Sequence, residues 1–503
     1  MTRSCGVLMP IFSLPSKYSI GSFGKWAYTF VDFLKKSGHT YWQVLPMCQT
    51  GYGDSPYQTT CDVSGNPYFI DLETLRDEKL LTYREVMRAI DKGETIDYGK
   101  LYNERYPLLR KAFARFDKND KRFKAFLKTG DYRDYALFMA VKASFGMKSW
   151  QEWTDEDIRM RRESAVREYG ERLREDVDFY VFLQYLFYRQ WDALRDYAHE
   201  NGVQFIGDIP IYVALDSADV WSDPQFFQLD ENNVPVEVAG VPPDAFTADG
   251  QLWGNPLYDW GRMAADGYGW WIRRIAGAKR LYDVIRIDHF RGFDSYWAVP
   301  YGDRTAKNGT WRPGPGMGLV GVLTSWFNDL SFIAEDLGYV TPGVRRLLSD
   351  SGLPGMKILE FAFDAHGESD YLPHRCERNS VCYMGTHDND TALGWLAGTG
   401  KDDRRFAERY MHITPDEGWC WGMIRTGMST ASDLFVMQMQ DVLELGADCR
   451  MNVPGRAYGN WRWRMLPGAA NKKLAKKLRE YTATFRRLPE TAGESAKAEE
   501  SAK

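Results

Sequence analysis

The chain has 503 residues and a net charge of −5, which comes from 64 basic and 69 acidic residues spread along the sequence. This balance argues against a nucleic-acid surface built on bulk charge and against a polybasic membrane anchor. No run of about 18 apolar residues is present, so no transmembrane helix is expected. The first residues lack the hydrophobic stretch of a secretory signal, so none is expected. The seven cysteines lack CxxC spacing, which favours reduced thiols in a cytoplasmic protein over disulfides or zinc.

Short apolar runs of strand character alternate with amphipathic helical stretches, which is the pattern of βα units. Helices are predicted over Lys25–Lys36, with Gly38 as the stop, and over Val177–Glu200. The candidate strands are Gly6–Phe12, Tyr41–Met47, Val203–Tyr212, Val284–Phe290, Phe332–Leu337, Lys357–Phe363, Val381–His387 and Cys449–Pro454. Eight strands close a parallel barrel, so the sequence predicts an α/β fold, a (β/α)8 TIM barrel. Runs this short also suit buried helix segments.

Two intervals are too long for ordinary connections. About 150 residues separate the second predicted strand from the third, and their pattern is mostly helical. We expect an inserted helical subdomain over about 75–175 and a substrate-facing loop, rich in Asp, Pro and Trp, over about 214–256. The catalytic barrel would then span 1–487, and the Glu/Ala/Lys/Ser-rich tail 488–503 is predicted to be disordered.

Three acidic residues follow three of the predicted strands. Asp288, Glu335 and Asp388 each come after a short apolar run. Parallel barrels place their reacting groups at the C-terminal ends of strands. Converging carboxylates are the groups that cleave glycosidic bonds, so these segments predict a carbohydrate-active site.

Arg286 and Asp288 are two residues apart and therefore face the same side of a strand. A guanidinium at that distance favours the ionised carboxylate, so we expect a lowered pKa for Asp288, as a nucleophile needs. The alternative is a buried ion pair that stabilises the barrel interior.

Glu335 lies between an apolar run and Asp336, and both surroundings raise the pKa of a carboxyl, as a general acid needs. The alternative is a helix N-cap in an ordinary βα turn. His387 is suited to hydrogen-bond sugar hydroxyls, and Asp388 to bind hydroxyls more tightly as charge develops. A metal site is disfavoured because no second histidine lies at ligand spacing.

Aromatic residues make up 15% of the chain, with 18 Trp, 29 Tyr and 27 Phe. Most of them are expected in the core, although Trp and Tyr rings also suit stacking on sugar rings. The glycine-rich stretch Gly314–Gly318 lacks the Lys-Ser/Thr of a phosphate-binding loop, so it does not favour a nucleotide enzyme.

Taken together, the three acidic segments resemble the 4-α-glucanotransferase family (amylomaltase or disproportionating enzyme, glycoside hydrolase family 77), a branch of the α-amylase-like barrels. The resemblance extends to about Arg464. Its further motifs are Gly53–Tyr57, Gly207–Val213, Gly250–Tyr258, Arg450–Gly455 and Gly459–Trp463. It implies that Asp288 is the nucleophile, Glu335 the acid/base and Asp388 the transition-state stabiliser, with Arg286 and His387 in supporting roles.

The resemblance also implies further substrate-binding residues. These are Asp208, Tyr57, Trp253, Asp249, Asn460 and Trp461. Ordinary turns at Ser55-Pro56 and Asn255-Pro256 are the alternative for two of the motifs. The sequence departs from the family at Val453 and Arg456, where threonine is common, and it lacks the long N-terminal extension of some relatives.

A retaining transfer of α-1,4-glucan segments is the activity that the resemblance implies, with α-1,4-glucans such as maltooligosaccharides, starch or glycogen as partners. No cofactor, metal, nucleic acid or membrane is expected. Two rivals stay open at this point: an α-1,4-glucan hydrolase that uses the same carboxylates, and a non-catalytic glucan-binding protein.

Overall fold

The computed structural model of the chain describes residues 2–51, 53–91, 93–243, 247–338, 340–456 and 458–489. Most of the tail predicted to be disordered, from residue 490 onward, lies outside the described residues. The described part forms twelve strands and nineteen α-helices.

The strands are β1 (Ser4–Leu8), β2 (Tyr41–Gln43), β3 (Gln204–Ile209), β4 (Glu237–Val241), β5 (Gln251–Pro256), β6 (Val284–Ile287), β7 (Ser295–Pro300), β8 (Thr310–Pro313), β9 (Ser331–Ala334), β10 (Gly355–Ile358), β11 (Ser380–Tyr383) and β12 (Leu434–Gln438). The helices are α1 (Lys25–Ser37), α2 (Leu72–Asp77), α3 (Tyr83–Arg88), α4 (Tyr98–Arg115), α5 (Lys121–Thr129), α6 (Arg133–Ser144), α7 (Glu156–Arg159), α8 (Glu163–Arg172), α9 (Arg174–Glu200), α10 (Ala218–Ser222), α11 (Trp260–Ala265), α12 (Gly269–Leu281), α13 (Met317–Trp326), α14 (Pro342–Ser351), α15 (Ala392–Gly398), α16 (Lys401–Met411), α17 (Gly418–Ser429), α18 (Met439–Val442) and α19 (Lys472–Thr484).

Eight of the strands form a nearly closed parallel sheet in the order β10-β11-β12-β1-β2-β3-β6-β9. The two outer strands approach each other where the Ala334 N–H donates to Pro354 O at 2.9 Å. The strands are short and apolar because a parallel barrel buries both of their faces. The predicted TIM barrel is confirmed, and seven of its strands overlap the predicted runs.

The eighth predicted strand, Cys449–Pro454, is wrong. Cys449 ends a short 3₁₀ turn and the following residues form a loop at the barrel mouth. The missing barrel strand is β12, in which all five residues are buried between β1 and β11. Met451 and Val453 alternate with polar residues as in a strand, but their backbone does not join the sheet.

Capping residues determine where two of the helices, α1 and α14, end and begin. Helix α1 ends at Gly38, whose φ of 75° is the left-handed conformation that glycine adopts readily. The side chain of Thr341 accepts the Val344 N–H and Pro342 occupies the first turn, so Thr341 caps α14. Glu335 is therefore not the N-cap of that helix.

The long interval between β2 and β3 contains α2 to α9. The final helix of this interval, α9, runs for 27 residues and packs against α6 through a largely buried, aromatic-rich face. Within the described residues, none of the helices combines the length and apolarity that crossing a membrane requires.

A second, antiparallel sheet of four strands has the order β5-β4-β7-β8. Strands β4 and β5 lie within the interval predicted to be a substrate loop, so that interval contains sheet as well as loop. Strands β7 and β8 follow the barrel strand β6, which carries Asp288 at its end. The second sheet therefore stands next to the C-terminal edge of the barrel.

Candidate active site

Asp288 and Glu335 follow adjacent barrel strands. In the pairing of β6 with β9, Ile287 lies opposite Ala334. The Asp288 N–H donates to Ile209 O at 2.9 Å and the Glu335 N–H donates to Ile287 O at 3.1 Å, which extends the sheet by one residue on each strand. Neighbouring strands are about 4.8 Å apart, so the two carboxyl-bearing residues are direct neighbours at the barrel mouth.

A buried ion-pair network lies beside Asp288. Arg286 Nη1 donates to both carboxylate oxygens of Asp208 at 2.7 Å and to Asp288 Oδ1 at 3.1 Å. The Asp208 side chain has no exposed surface, whereas the Asp288 side chain is 26% exposed. Tyr57 OH donates to Asp208 Oδ2 at 2.7 Å. Asp208 is thus enclosed by protein groups, and it fixes the positions of Arg286 and Tyr57.

Burial is the largest influence on the pKa of Asp288 and raises it to about 7. Arg286 opposes this rise, while the charges of Asp208 and Glu335 add to it. The expected lowering of the pKa is therefore wrong. The Arg286–Asp288 contact exists as predicted, but the guanidinium is shared with Asp208.

Glu335 is buried and held by two backbone donors. The His289 N–H donates to its Oε2 at 2.6 Å and the Leu337 N–H to its Oε1 at 2.9 Å. Burial raises the pKa of Glu335, Arg286 and the two N–H groups act against this, and Asp336 adds to the rise. The net pKa is raised, so the predicted direction is confirmed, with burial rather than Asp336 as the main cause.

Asp388 has the opposite electrostatics. His387 Nε2 lies 3.3 Å from Asp388 Oδ1, and Asn452 Nδ2 donates to the same oxygen at 2.6 Å. Burial favours the neutral acid, but His387 and Asn452 outweigh it and lower the pKa of Asp388 to about 2. The site therefore combines one firmly ionised carboxylate with two carboxyls whose pKa values are raised, which separates their acid–base behaviour.

Aromatic rings pack around His387. The Tyr57 ring stacks on it with centroids 4.9 Å apart and an interplanar angle of 22°, and Tyr57 OH lies 3.3 Å from His387 Nδ1. The Trp461 ring lies 5.9 Å from Tyr57 and 5.8 Å from His387. Trp253 meets the ring of His289 edge-on at 4.8 Å. These rings give the site flat apolar walls next to its charged groups.

A cavity of about 910 Å³ opens at this end of the barrel. It brings together most of the predicted site residues. Those in its lining are Tyr57, Asp249, Trp253, Asp288, His387, Asp388, Asn460 and Trp461. The other three are buried. Asp208 and Arg286 contact the lining residues Tyr57 and Asp288, whereas Glu335 is bonded to His289 and Leu337, which are not lining residues.

Two predicted binding residues lie at the margin of the cavity. Asp249 is 63% exposed and forms an ion pair with Lys307. The Asn460 side chain accepts the Val453 N–H at 3.1 Å and donates to Arg456 O at 2.8 Å. Asn460 therefore holds the loop that carries Val453 and Arg456, the two positions at which this chain departs from the family pattern, and both line the cavity.

Sequence reasoning missed three residues that position the carboxylates. Asn452 contacts Asp388 directly, Arg450 Nη2 donates to Asp388 O at 2.6 Å, and His289 supplies its N–H to Glu335. Asn452 and Arg450 lie in the motif Arg450–Gly455, but the sequence pattern there predicts a barrel strand rather than a loop that contacts Asp388. The backbone role of His289, which has a φ of 52°, leaves no signal in its residue type.

Comparisons with known proteins agree with this geometry. The sequence model of the 4-alpha-glucanotransferase family matches residues 9–469. A 4-alpha-glucanotransferase from Clostridium butyricum is 46% identical over 487 residues, covering 95% of this chain and 100% of that protein. The 4-alpha-glucanotransferase of Thermus thermophilus is 43% identical over 505 residues, covering 97% and 100%.

A solved structure extends the likeness to three dimensions. The amylomaltase from Streptococcus agalactiae, in complex with acarbose, matches with a TM-score of 0.94 and 41% identity, covering 97% of this chain and 100% of that one. With matches of this extent in both sequence and structure, the chain belongs to the 4-alpha-glucanotransferase family.

Proposed function

We propose that the protein is a retaining 4-α-glucanotransferase, which moves a segment of an α-1,4-glucan to the 4-hydroxyl of an acceptor glucan or glucose. The observation that carries this proposal is the placement of Asp288 and Glu335 on adjacent strand ends, with Asp288 in the lining of a cavity walled by aromatic rings. Retaining enzymes hold their two carboxyl groups about 5 Å apart, and neighbouring strands offer a similar spacing.

In the first half of the reaction, the ionised carboxylate of Asp288 attacks the anomeric carbon of the donor glucan. A bond forms from Asp288 to that carbon as the glycosidic bond breaks, and Glu335 gives its proton to the departing 4-oxygen. The raised pKa of Glu335 favours the protonated form that this step needs. Arg286 Nη1, which already contacts Asp288 Oδ1, fixes the attacking carboxylate.

In the second half, Glu335 takes the proton from the acceptor 4-hydroxyl, whose oxygen displaces Asp288 from the anomeric carbon. Two inversions give net retention of the α configuration. The atoms balance without a further reactant, because the proton given to the first sugar is replaced by the proton taken from the second.

Asp388 and His387 act on the charge that develops at the reacting sugar. Asp388 remains ionised because its pKa is lowered to about 2, and its side chain is 45% exposed towards the cavity. A fixed negative charge stabilises an oxocarbenium-like transition state, and hydrogen bonds to the ring hydroxyls strengthen at the same moment. Asn452 and Arg450 hold Asp388 in place for this role.

Transfer requires that a sugar hydroxyl reach the covalent intermediate in preference to water. The rings of Tyr57, His387 and Trp461 pack on one another and form an apolar wall of the cavity, from which a bound sugar would displace water. The hydrolase alternative is not favoured, because the relatives that match this chain over nearly their full length are glucanotransferases.

Incubation with maltotriose tests the proposed activity. We expect glucose together with a ladder of longer maltooligosaccharides, resolved by chromatography over time. Products confined to sugars shorter than maltotriose would mean hydrolysis and would contradict the proposal. A variant that lacks the nucleophile, Asp288→Asn, is the matched background for glucose carried over with the substrate.

We expect kcat/KM for maltotriose to fall as the pH decreases through about 7, because Asp288 must be ionised to attack and its pKa is raised to about 7. Asp208→Asn removes a charge that raises the Asp288 pKa, so this acid limb should move to lower pH. Asp350→Asn, at an exposed position of α14, should leave the limb in place. If Asp208→Asn does not shift the acid limb of the kcat/KM–pH profile, a group other than Asp288 sets that limb.

The substrates proposed for this chain are neutral α-1,4-glucans, from maltooligosaccharides to starch or glycogen. A cytoplasmic location is part of the proposal and is supported by the cysteines. All seven lie in the described part of the chain and are free thiols, and six of them are buried.

A further inference from the structure

Trp311 presents a ring that is held on one face and open on the other. It lies on β8, the outer strand of the antiparallel sheet, where all four residues are exposed. The Trp311 side chain is 43% exposed, and the guanidinium of buried Arg291 lies 4.2 Å from its ring centroid. The rings of Trp311 and Trp297 meet in a T-shaped arrangement, with centroids 5.2 Å apart and an interplanar angle of 67°. Such packing fixes the orientation of the indole.

The partners of Trp311 are themselves held in place. Trp297 lies directly opposite Trp311 in the β7–β8 pairing, and its Nε1 donates to Ala306 O at 2.8 Å. Arg291 Nη2 donates to Ser295 Oγ at 3.3 Å, at the start of the same strand. An indole fixed in this way loses little conformational freedom when a ligand covers its open face.

The sheet that carries Trp311 also walls the catalytic cavity. Leu252, Gly240, Trp297 and Trp311 are successive register partners across β5, β4, β7 and β8, so they share one face of the sheet. Leu252 lines the cavity. Three strand spacings separate it from Trp311, a distance of roughly 14 Å.

The connection between β7 and β8 joins the cavity margin to this face. The Ala306 N–H donates to Asp249 O at 3.0 Å, and Lys307 forms an ion pair with the Asp249 side chain. Asp249 lines the cavity, while Ala306 accepts from Trp297. These contacts therefore connect the margin of the cavity, through the loop between β7 and β8, to Trp297 and its register partner Trp311.

We propose that Trp311 is the platform of a second glucan-binding site, which holds an α-1,4-glucan chain where it extends beyond the catalytic cavity. This inference rests on the proposed function. A sugar ring has an apolar face that suits an open indole, and it is neutral, as this site requires. The Arg291 guanidinium lies beneath Trp311 and is not offered to an anionic ligand. A single ring is also far smaller than the roughly 1,000 Å² that a stable protein partner would need.

Trp326 provides a matched control. It is more exposed than Trp311, at 67%, and it is the last residue of α13. It lies 13 residues after the end of β8 and is not part of the four-stranded sheet. Among the described residues, no aromatic ring or guanidinium stacks on it. A general effect of removing an exposed indole would therefore appear in both variants, whereas an effect of the platform would appear only at Trp311.

The test compares a short and a long donor in the intact protein. Trp311→Ala should raise the half-saturating concentration of long linear amylose by about fivefold to tenfold, which corresponds to the loss of one aromatic stacking contact. Its rate with maltotriose, whose units must lie around Asp288 to react, should be unchanged. Trp311→Phe should raise the half-saturating concentration of amylose less than Trp311→Ala does. Trp326→Ala should match the unmodified protein with both donors.

Retardation in native gels that contain amylose provides a readout without turnover, and melting temperatures check that each variant is folded. Unchanged half-saturation and retardation in Trp311→Ala would overturn the inference, as would an equal loss with maltotriose and amylose. Failure of the unmodified protein to disproportionate maltotriose would instead count against the proposed function, so the two failures are distinguishable.

Discussion

Replacement of Asp288 by asparagine should reduce transfer from maltotriose by about 10⁴-fold or more, the loss typical of removing a covalent nucleophile. Asparagine preserves the volume and can still accept a hydrogen bond from Arg286, but its amide does not attack the anomeric carbon. The measurement is the initial rate of glucose release. Asp350→Asn, the same substitution at an exposed position of α14, should change this rate little.

The stability of the Asp288 variant separates a chemical defect from a folding defect. The folded-state pKa of Asp288 lies above its ordinary value of 3.8, so the fold gains stability from the proton at low pH and loses it as the pH rises towards about 7. Above that pH the unmodified protein carries an unfavourable, partly buried charge that asparagine lacks. Asp288→Asn should therefore melt at the same or a higher temperature at pH 8. A marked fall in melting temperature would contradict this account of the charge balance.

Glu335→Gln should lower the maltotriose rate by about 10²- to 10⁴-fold, because a sugar leaving group needs the proton that Glu335 supplies. The effect should depend on the donor. α-Maltosyl fluoride releases fluoride, which needs no proton, so its first displacement at Asp288 should proceed at a rate close to that of the unmodified protein. Fluoride release measured with an ion-selective electrode separates this step from the second displacement.

Asp336→Asn is the matched control for Glu335→Gln. Asp336 is the next residue, and its Oδ1 accepts the Met356 N–H at 2.7 Å, a bond that an asparagine oxygen can also accept. Transfer from maltotriose should remain near that of the unmodified protein. Equal losses in the two variants, or an equal loss of Glu335→Gln on maltotriose and on the fluoride, would show that Glu335 is not the proton donor.

Most of the barrel could be predicted from the sequence because its strands are short apolar runs that end in polar residues. The sequence does not predict strand β12, Leu434–Gln438, because no acidic residue follows it directly and its apolar run resembles a buried helix as much as a strand. Strands β4 and β5 are not predicted because their glycines and prolines indicate turns. In the sheet, β4 also pairs with β7, which begins 54 residues after β4 ends.

The positions of the three carboxylates were predictable, whereas their electrostatics were not. The sequence places Arg286 two residues from Asp288, and this local proximity suggested a lowered pKa. Burial and the charge of Asp208, which arrives from another strand, reverse the direction. In the same way, the contact of Asn452 with Asp388 joins residues 64 positions apart, which no local pattern reveals.

The covalent intermediate is the most direct test of the central claim, the attack by Asp288 on the donor glucan. A 5-fluoro-α-maltosyl fluoride donor should form this intermediate quickly and release it slowly, especially in Glu335→Gln, where no general base activates the acceptor. Intact mass spectrometry should show one added maltosyl group, and peptide mapping should place it on Asp288. Rapid fluoride release without an adduct, or an adduct on any other residue, would contradict the account.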